Sequence, residues 1–327
     1  MNYNYHQVLD YILAAQNADG SFATYESYPV VNPQAGWTLL PDPSPFITAN
    51  ILYSLLQVKD NTTKLAIAKG AQNIRSLKQR GGYWRFWPLR SLQHPVPLDI
   101  DDTCLASYIL QQCGRAVNNK NMLAQNKNAD GYFQTWLTPR IKAAFINPLT
   151  TVGLMLDYFN AQPTRKLGHF AFTDYEPAVA ANALLYLGQQ HNETCIALII
   201  EEVKANKMPL QFYNDEIVVY YHLARAYANG VTKLGEVKLL ICQRLQTRFA
   251  QNNNTDNQLL TLMAANILLY FNSDKLLAHQ LISSIYNSPT FPHNWQSHAY
   301  FCSKDRNFLA GSPQLTAALY VEACVNL

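Results

Sequence analysis

The chain has 327 residues, of which 49% are hydrophobic and only 14% are charged, and its formal net charge at pH 7 is +3. It contains no basic block and no basic stripe interleaved with aromatic residues, which argues against a nucleic-acid partner. With 20 tyrosines, this composition is typical of a compact helical protein with a wide apolar interior, and the length allows one large core or two modest ones.

Helical periodicity dominates the chain, and strand-like alternation is scarce. Turn residues such as Asn61, Gly114 and Gly230 mark the ends of the helical segments. About a dozen helices of this length predict an all-α fold, an (α/α)6 barrel in which an inner ring of helices is wrapped by an outer ring. The predicted helices span residues 5–16, 46–58, 63–79, 101–113, 149–159, 177–190, 193–206, 215–229, 233–250, 257–272, 274–287 and 313–325.

The connections between these helices differ in length. Those near residues 61, 114, 192, 231 and 273 are short. Those at 18–44, 81–100, 128–148, 160–176 and 288–311 are long and rich in Pro, Gly and aromatic residues. In a barrel of alternating helices the long loops gather on one rim, and long ordered loops usually carry function. No linker or compositional break divides the chain, so residues 1–327 are expected to form a single domain.

Cysteine usage and the N-terminal residues predict a cytoplasmic protein. The six cysteines are scattered and form no C-x-x-C pair, which is more typical of reduced thiols than of a disulfide framework or a zinc site. Residues 1–6 lack a basic region followed by an apolar core, so no secretory signal is indicated. The longest apolar runs, such as 264–271, are too short to span a bilayer.

An acidic run at residues 97–104 places three carboxyl groups within four positions. Crowded carboxylates resist simultaneous ionisation, so one of them can keep its proton and serve as an acid in a dry, aromatic pocket. A second interpretation needs no chemistry: Asp99 precedes an apolar run and is a candidate N-cap, and Asp101 and Asp102 favour the positive end of the helix dipole. The helix dipole lowers the pKa of these carboxyl groups, whereas burial and like charges raise it. The sequence does not report burial, so both interpretations stay open.

The sequence Asp99-Ile100-Asp101-Asp102-Thr103 resembles the D-x-D-D-T signature of class II terpene cyclases, the family that includes squalene–hopene cyclase. In that family the middle aspartate is the general acid that protonates a terminal alkene or epoxide, and the outer carboxylates and the threonine support it. Carried over by position, the resemblance implies that Asp101 is the catalytic acid and that Asp99, Asp102 and Thr103 surround it.

Three turns extend the resemblance along the chain. Residues 17–22, 81–84 and 128–133 pair Asp-Gly or Gly-Gly with aromatic residues and look like degenerate Q-x-x-D-G-x-W repeats of the terpene cyclase and protein prenyltransferase superfamily. Glycine permits a positive φ at each turn, and the aromatic residue after it can pack over a helix end. Residues 311–319 resemble the closing inner helix of such proteins. Recurrence of the turns favours a helical repeat.

The length of the chain narrows the implied type of cyclase. Triterpene cyclases have two helical domains with the active site between them, whereas 327 residues have room for one barrel. The chain therefore resembles single-barrel class II cyclases of the meroterpenoid type, which act on prenylated aromatic acids or phenols. The implied reaction is proton-initiated cyclisation of a linear polyprenyl chain, carried by a prenylated aromatic or a prenyl diphosphate, to a polycyclic terpenoid. Its hydrophobic isoprenoid substrate favours peripheral membrane contact.

No cofactor is expected for this reaction, and magnesium only where the substrate carries a diphosphate. Neither D-D-x-x-D nor N-x-x-x-S-x-x-x-E occurs in the chain, so metal-assisted ionisation of a diphosphate is not expected. The cations Arg85, Arg90, Arg140 and Lys142 are candidates for holding a charged head group, with solvated surface charge as the alternative.

Aromatic residues near the acidic run and on predicted inner helices are candidates for the substrate cavity, because aromatic faces stabilise cations by about 0.5–2 kcal/mol per contact. Plain core packing is the alternative for each of them. His94 is a candidate partner of the acid or a terminal base, and His222 competes for that role. The cavity candidates are Phe46, Trp84, Trp87, Tyr186, Tyr220 and Tyr221.

Three other functions fit a helical barrel. The protein prenyltransferase β-subunit requires zinc, and Asp102 and Cys104 lie close together, but no matching later pair follows them. A carbohydrate-active barrel needs two opposed carboxylates, with Asp19, Asp130 or Glu176 as partners of Asp101, although the apolar bias argues against a sugar groove. A non-catalytic barrel would bind a lipid or a partner helix, and its acidic run would be a helix cap.

Overall fold

The protein is described by a computed structural model over residues 3–29, 36–88, 96–138, 171–251, 257–288 and 291–327, with the isolated positions 152, 155 and 156. Twelve α-helices lie within these residues, and the all-α prediction is confirmed. The helices are α1 His6–Ala14, α2 Pro45–Leu55, α3 Asn61–Ser76, α4 Ile100–Gln112, α5 Lys120–Leu123, α6 Pro177–Leu187, α7 Glu193–Ala205, α8 Glu216–Ala228, α9 Lys238–Gln251, α10 Gln258–Tyr270, α11 Lys275–Tyr286 and α12 Pro313–Asn326.

Six helices form a closed inner ring. In the order α2, α4, α6, α8, α10 and α12 each packs on the next, and α12 packs on α2. Their sequences explain this position, because a helix that is apolar on every face must be buried on every face. All residues of α2 are buried, as are all residues of α6 from Pro177 to Tyr186. The amphipathic helices α1, α3 and α11 pack outside the ring, on α12, α2 and α10 respectively, which gives the predicted α/α barrel.

Inner helices begin with strong start signals. Pro177 and Pro313 occupy the first turn of α6 and α12, where the missing N–H and fixed φ of proline cost nothing. The Ser44 side chain accepts a hydrogen bond from the Phe46 backbone N–H and so caps α2. Because inner and outer helices alternate along the chain, the inner helices all begin at one end of the barrel, here called the N-terminal rim. The long loops enter the ring at this rim.

A small antiparallel sheet crosses the N-terminal rim. Its strands are β1 Tyr25–Ser27, β2 Thr38–Leu39, β3 Phe301–Cys302 and β4 Leu309–Gly311, in the order β2-β1-β4-β3. Glu26 lies opposite Ala310, so the sheet joins the loop before α2 to the loop before α12. A Cβ at Gly311 would lie 2.0 Å from the His298 carbonyl oxygen, so only glycine permits this crossing. Strands of two or three residues are too short for sequence alternation to reveal them.

Within the described residues the predicted helices match the observed ones within a few residues, with two differences. The segment 233–250 begins as a 3₁₀-helix, Thr232–Val237, before α9. The short α5 was not predicted. The predicted helix 149–159 lies outside the described residues apart from positions 152, 155 and 156. The positive φ predicted for the first turn is present at Gly20, where φ is +91°, and a Cβ there would lie 2.3 Å from the Lys69 carbonyl oxygen of α3.

Candidate active site

A pocket lies at the N-terminal rim beside the first turn of α4. It encloses about 390 Å³, counting the space open to solvent at its mouth. The wall is aromatic and apolar, and its polar side chains are three carboxyl groups and one hydroxyl. The lining residues are Phe46, Phe86, Trp87, Val96, Asp99, Asp101, Asp102, Thr135, Trp136, Val179, Phe212 and Phe301.

The acidic run is held against a second rim loop. The Ile100 backbone N–H donates to the Thr135 carbonyl at 2.9 Å, and the Leu137 N–H donates to the Leu98 carbonyl at 2.9 Å. Asp99 caps α4, because its Oδ1 accepts a hydrogen bond from the Asp102 backbone N–H at 2.7 Å. The N-cap interpretation is therefore correct. Since the three carboxyl groups are also buried, with residue exposures of 3–6%, it does not displace the chemical interpretation.

Asp101 receives a hydrogen bond on each carboxyl oxygen. The Asn182 side-chain amide, from α6, donates to Oδ1 at 2.5 Å. The Tyr213 hydroxyl, from the loop before α8, donates to Oδ2. Both donors are fully buried, and both come from segments far from the acidic run in sequence. They place hydrogen-bond donors where negative charge appears when Asp101 loses its proton.

The three carboxyl groups differ in acidity. Burial raises the pKa of Asp101 to about 6, against the hydrogen bonds from Tyr213 and Asn182 and the charge of Arg225, which lower it. Burial and the neighbouring Asp101 charge raise the pKa of Asp99 to about 8. Burial, then the charges of Asp99 and Asp101, raise the pKa of Asp102 well above its ordinary value. The pKa of Asp101 lies below that of Asp99 because the charge of Arg225 lowers it, whereas the charge of a neighbouring carboxylate raises the pKa of Asp99.

A polar network fills the bore beneath Asp101. Arg225 of α8 is fully buried, and its guanidinium donates to Asn182 Oδ1 and, at 3.0 Å, to Asn50 Oδ1. The Tyr300 hydroxyl also donates to Asn50 Oδ1, at 2.9 Å. His222 Nε2 lies 2.6 Å from that hydroxyl. Burial and the Arg225 charge lower the pKa of His222 well below its ordinary value, so this histidine is neutral.

The structure places two of the predicted cavity residues, Phe46 and Trp87, in the pocket wall. The other four lie outside that lining. The Trp84 indole N–H donates to the Ile74 carbonyl at 2.8 Å, toward α3. The Tyr186 hydroxyl donates to Asn119 at 2.9 Å, at the far end of α6. Tyr220 contacts Glu216 and Arg244 and so faces α9.

Tyr221 also lies outside the pocket lining, since its hydroxyl donates to Glu322 Oε1 at 2.9 Å, deep in the bore. Tyr220 and Tyr221 have different neighbours because consecutive positions of a helix point about 100° apart. His222, predicted to compete as a partner of the acid, reaches the Asn182 amide at 3.3 Å instead of the acid.

The predicted support of the acid by Thr103 is wrong in its geometry. The Thr103 hydroxyl accepts a hydrogen bond from the Trp84 N–H at 3.0 Å and donates to the Trp84 carbonyl at 3.3 Å. Two residues along a helix point about 200° apart, so Thr103 faces away from the side chain of Asp101 and ties the preceding loop to α4. The other predicted supporter, His94, lies outside the described residues, as do Arg90, Arg140 and Lys142. Arg85 donates to the Val96 carbonyl at 3.1 Å.

Several residues of the site were missed. Asn182 carried a readable signal, because it is an isolated polar residue in the middle of the apolar helix α6, and Arg225 is a buried charged residue in the last turn of α8. Tyr213, Phe212 and Phe301 lie in loops or in a two-residue strand, where periodicity gives no signal. Their contribution to the site depends on the closure of the ring.

The alternative functions gain little from the described residues. Asp19 accepts hydrogen bonds from Ser21 and Asn73 and stabilises its own turn, and Asp130 is exposed. Glu176 is fully buried, and burial, with a contribution from the Asp101 charge, raises its pKa to about 8. Among the described residues, no three His, Cys, Asp or Glu side chains are grouped as a metal site. None of the described helices is long and apolar enough to cross a membrane.

Comparison with known proteins identifies the fold. No family model and no curated protein matches the sequence. The structure is similar to type II terpene cyclase MstE from Scytonema in its apo form, with a TM-score of 0.65 and 12% identity over 98% of this chain and 96% of that one. A variant of that cyclase in complex with geranylgeranyl dihydroxybenzoate matches with a TM-score of 0.63 and 13% identity over 98% and 95% of the two chains.

A second enzyme shares the fold over part of its length. The ent-copalyl diphosphate synthase from Streptomyces platensis matches with a TM-score of 0.52 and 13% identity, over 86% of this chain and 50% of that one. The chain therefore has the fold of type II terpene cyclases, and the structural relationship predicted from the acidic run is confirmed.

Proposed function

We propose that this protein is a class II terpene cyclase that starts the cyclisation of a linear polyprenyl chain by proton transfer from Asp101. One observation carries the proposal: Asp101 is a buried carboxyl in the wall of an aromatic pocket, with a hydrogen-bond donor on each oxygen. The fold shared with type II terpene cyclases supports the same class.

The proposed reaction is an isomerisation. Asp101 transfers its proton to the CH carbon of the last double bond, whose π electrons form the new C–H bond and leave a tertiary cation at the terminal carbon that carries the two methyl groups. The next double bond attacks that cation and closes a ring, and the cation moves along the chain. Loss of a proton, or capture by an internal nucleophile, ends the sequence. Tyr213 and Asn182 stabilise the Asp101 carboxylate that remains, and a proton from solvent restores the acid.

The pocket wall supplies what the cation needs. Phe86 stacks on Phe301 with ring centroids 4.9 Å apart, and Phe212 is nearly parallel to Phe301 at 6.1 Å. Such faces attract a cation by about 0.5–2 kcal/mol each, and they offer no nucleophile that would trap it. A rigid wall also holds the chain in a conformation in which the reacting double bonds are adjacent.

The neighbour solved with geranylgeranyl dihydroxybenzoate supports our choice of substrate class. We propose a prenylated aromatic acid or phenol as the first candidate and a prenyl diphosphate as the second. For the first, we propose a reaction without a cofactor. For the second, magnesium would accompany the diphosphate.

The test is incubation of the purified protein with geranylgeranyl dihydroxybenzoate and, separately, with farnesyl and geranylgeranyl diphosphate. The expected product has the mass of its substrate and fewer double bonds, and in D₂O it gains one deuterium, which mass spectrometry and NMR detect. Asp101→Asn should bind the substrate, keep the wild-type melting temperature and form no product.

Two outcomes would contradict the proposal. If the wild-type protein binds the prenyl compounds but converts none of them, it is a non-catalytic lipid-binding barrel. Zinc-dependent transfer of a prenyl group to a cysteine peptide would indicate a prenyltransferase. Tyr186→Phe, which removes a buried hydroxyl at the far end of α6, is the control that should keep cyclase activity.

A further inference from the structure

We propose that Arg225 is a positioning residue for the acid: it fixes the orientation of the Asn182 amide, so that the donor end of the amide faces Asp101. This inference rests on the proposed function, since it concerns a residue that would help Asp101 to act as the acid.

The orientation of Asn182 follows from donor and acceptor chemistry. A guanidinium has five N–H donors and no acceptor. Because Arg225 Nη2 contacts Asn182 at its Oδ1, the oxygen must face Arg225, and Nδ2 must face Asp101. The same Nδ2 lies 3.3 Å from His222 Nδ1. Arg225 therefore determines which end of the amide meets the acid.

The amide orientation matters because the two ends do opposite things to a carboxylic acid. With Nδ2 toward it, Asp101 Oδ1 accepts a hydrogen bond, and the carboxylate formed after proton transfer is stabilised. With the amide reversed, Asn182 Oδ1 would accept the acidic proton of Asp101 and hold it away from the substrate. The same oxygen would repel the carboxylate. The Arg225 charge acts in the same direction, since it lowers the pKa of Asp101.

Contacts from the inner ring hold Arg225 in place. Its Nη1 donates to Asn50 of α2 at 3.0 Å, and its guanidinium lies 4.6 Å from the ring centre of Tyr53 and 5.3 Å from that of Tyr221. On the α12 side lies Glu322, which is fully buried and accepts hydrogen bonds from Ser54, Tyr221 and Tyr270. The charge of this carboxyl interacts favourably with that of Arg225.

Other titratable groups face the two ends of this chain of contacts. Those around Asp101 are Asp99, Asp102, Cys104, Glu176, Tyr213 and Tyr300. Those around Arg225 are Tyr53, Tyr108, Tyr221, His222, Tyr300 and Glu322. Burial raises the pKa of each tyrosine above 10, so near neutral pH the groups that titrate are carboxyls.

The experiment compares Arg225→Met, Arg225→Lys and Asn182→Leu in the full chain. Infrared difference spectra against Asp101→Asn give the titration midpoint of the Asp101 carboxyl without substrate, and kinetics give kcat and KM over pH. Arg225→Met should raise the midpoint by about one pH unit or more and lower kcat about 100-fold, with KM little changed. Arg225→Lys keeps the charge, so its midpoint should stay near the wild-type value.

Asn182→Leu and the double variant Arg225→Met/Asn182→Leu test whether the two residues act as one unit. Asn182→Leu should raise the midpoint of the Asp101 titration, as Arg225→Met does. The double variant should be as active as the less active of the two single variants. Tyr186→Phe, which changes a hydroxyl on the same helix as Asn182, should leave the midpoint unchanged.

Three results would overturn the inference: an unchanged Asp101 midpoint in folded Arg225→Met, an unchanged midpoint in Asn182→Leu, or fully additive losses in the double variant. If Arg225→Met does not fold, the Asn182→Leu midpoint decides. Failure of the wild-type protein to cyclise any substrate contradicts the proposed function, whereas the infrared titration still tests the coupling between Arg225 and Asp101.

Discussion

Asp99 Oδ1 accepts the backbone N–H of Asp102 at 2.7 Å, so the first carboxyl of the acidic run caps the helix that carries the other two. The cap fixes the first turn of α4 and thereby the direction in which Asp101 leaves the helix. It does so from a buried carboxyl whose pKa is raised to about 8 by burial and the neighbouring Asp101 charge. A neutral carboxylic acid can still accept this hydrogen bond through its carbonyl oxygen. Asp99 therefore combines the structural role of a helix cap with the raised pKa of a buried carboxyl.

Asparagine should replace Asp99 as a cap, whereas alanine should not. At pH 5, where the Asp99 carboxyl is neutral, Asp99→Ala should lower the free energy of unfolding by about 1 kcal/mol relative to Asp99→Asn, because only the amide retains an acceptor for the Asp102 N–H. Urea denaturation of both variants measures the difference. Equal stability of the two would show that the cap contributes nothing to folding.

The barrel was predictable because its signals are local. Inner helices such as α2 and α6 are apolar on all faces, outer helices such as α3 are amphipathic, and proline or a capping side chain marks where inner helices begin. These features belong to single segments and need no knowledge of the neighbours. The rim sheet was not predictable, because each strand has only two or three residues and forms by pairing loops from opposite ends of the chain.

The site was predictable only in part, for the same physical reason. Asp101 stands in a motif that can be read along the chain. Its donors Asn182 and Tyr213 lie 81 and 112 residues away and reach it through the packing of α4, α6 and α8. The tyrosines of α8 were cavity candidates because they lie on a predicted inner helix, but the rotation of the helix turns Tyr220 outward and Tyr221 toward Glu322.

The contribution of Asp99, Asp101 and Glu176 to stability should fall as the pH rises from about 4 to about 8, because they are buried acids with raised pKa values. A raised folded-state pKa means that the folded protein binds the proton more tightly than the unfolded chain, whose carboxyl pKa values are about 4. The resulting stabilisation is complete below that value and is lost as the pH passes the folded-state pKa. For Asp101 the loss extends to about pH 6, and for Asp99 and Glu176 to about pH 8.

Calorimetry from pH 5 to 9 measures this decline as a falling melting temperature. Glu176→Gln removes one titrating group and should flatten the decline, so its melting temperature should approach or exceed that of the wild-type protein at the highest pH. The buried neutral His222 adds stability as the pH rises to about 6.5, so the decisive range is pH 7 to 8, where a melting temperature that stays constant or rises would contradict the burial of Asp99 and Glu176.

The cyclisation rate should fall with pH, because Asp101 donates only while it is protonated. With a pKa of about 6, kcat/KM should drop about tenfold per pH unit above that value. Tyr213→Phe removes a donor that lowers the pKa of Asp101, so the falling limb should move to higher pH while kcat at low pH decreases. Tyr220→Phe, whose hydroxyl contacts Glu216 and Arg244, is the matched control and should keep the wild-type profile. Identical pH profiles for Tyr213→Phe and Tyr220→Phe would show that Tyr213 does not affect the titration of Asp101.

The ring of Phe212 should matter for the rate more than for the fold. Phe212 lines the pocket, lies parallel to Phe301 and meets Trp136 edge-on at 5.3 Å. Leucine fills a similar volume without a π face, so Phe212→Leu should lower kcat by about 2- to 30-fold, the equivalent of about 0.5–2 kcal/mol of cation stabilisation. Phe271→Leu is the control, because Phe271 is fully buried outside the pocket and packs on Tyr227. It should lower the melting temperature and leave kcat unchanged. Equal losses of kcat in both variants would mean that Phe212 acts through packing alone.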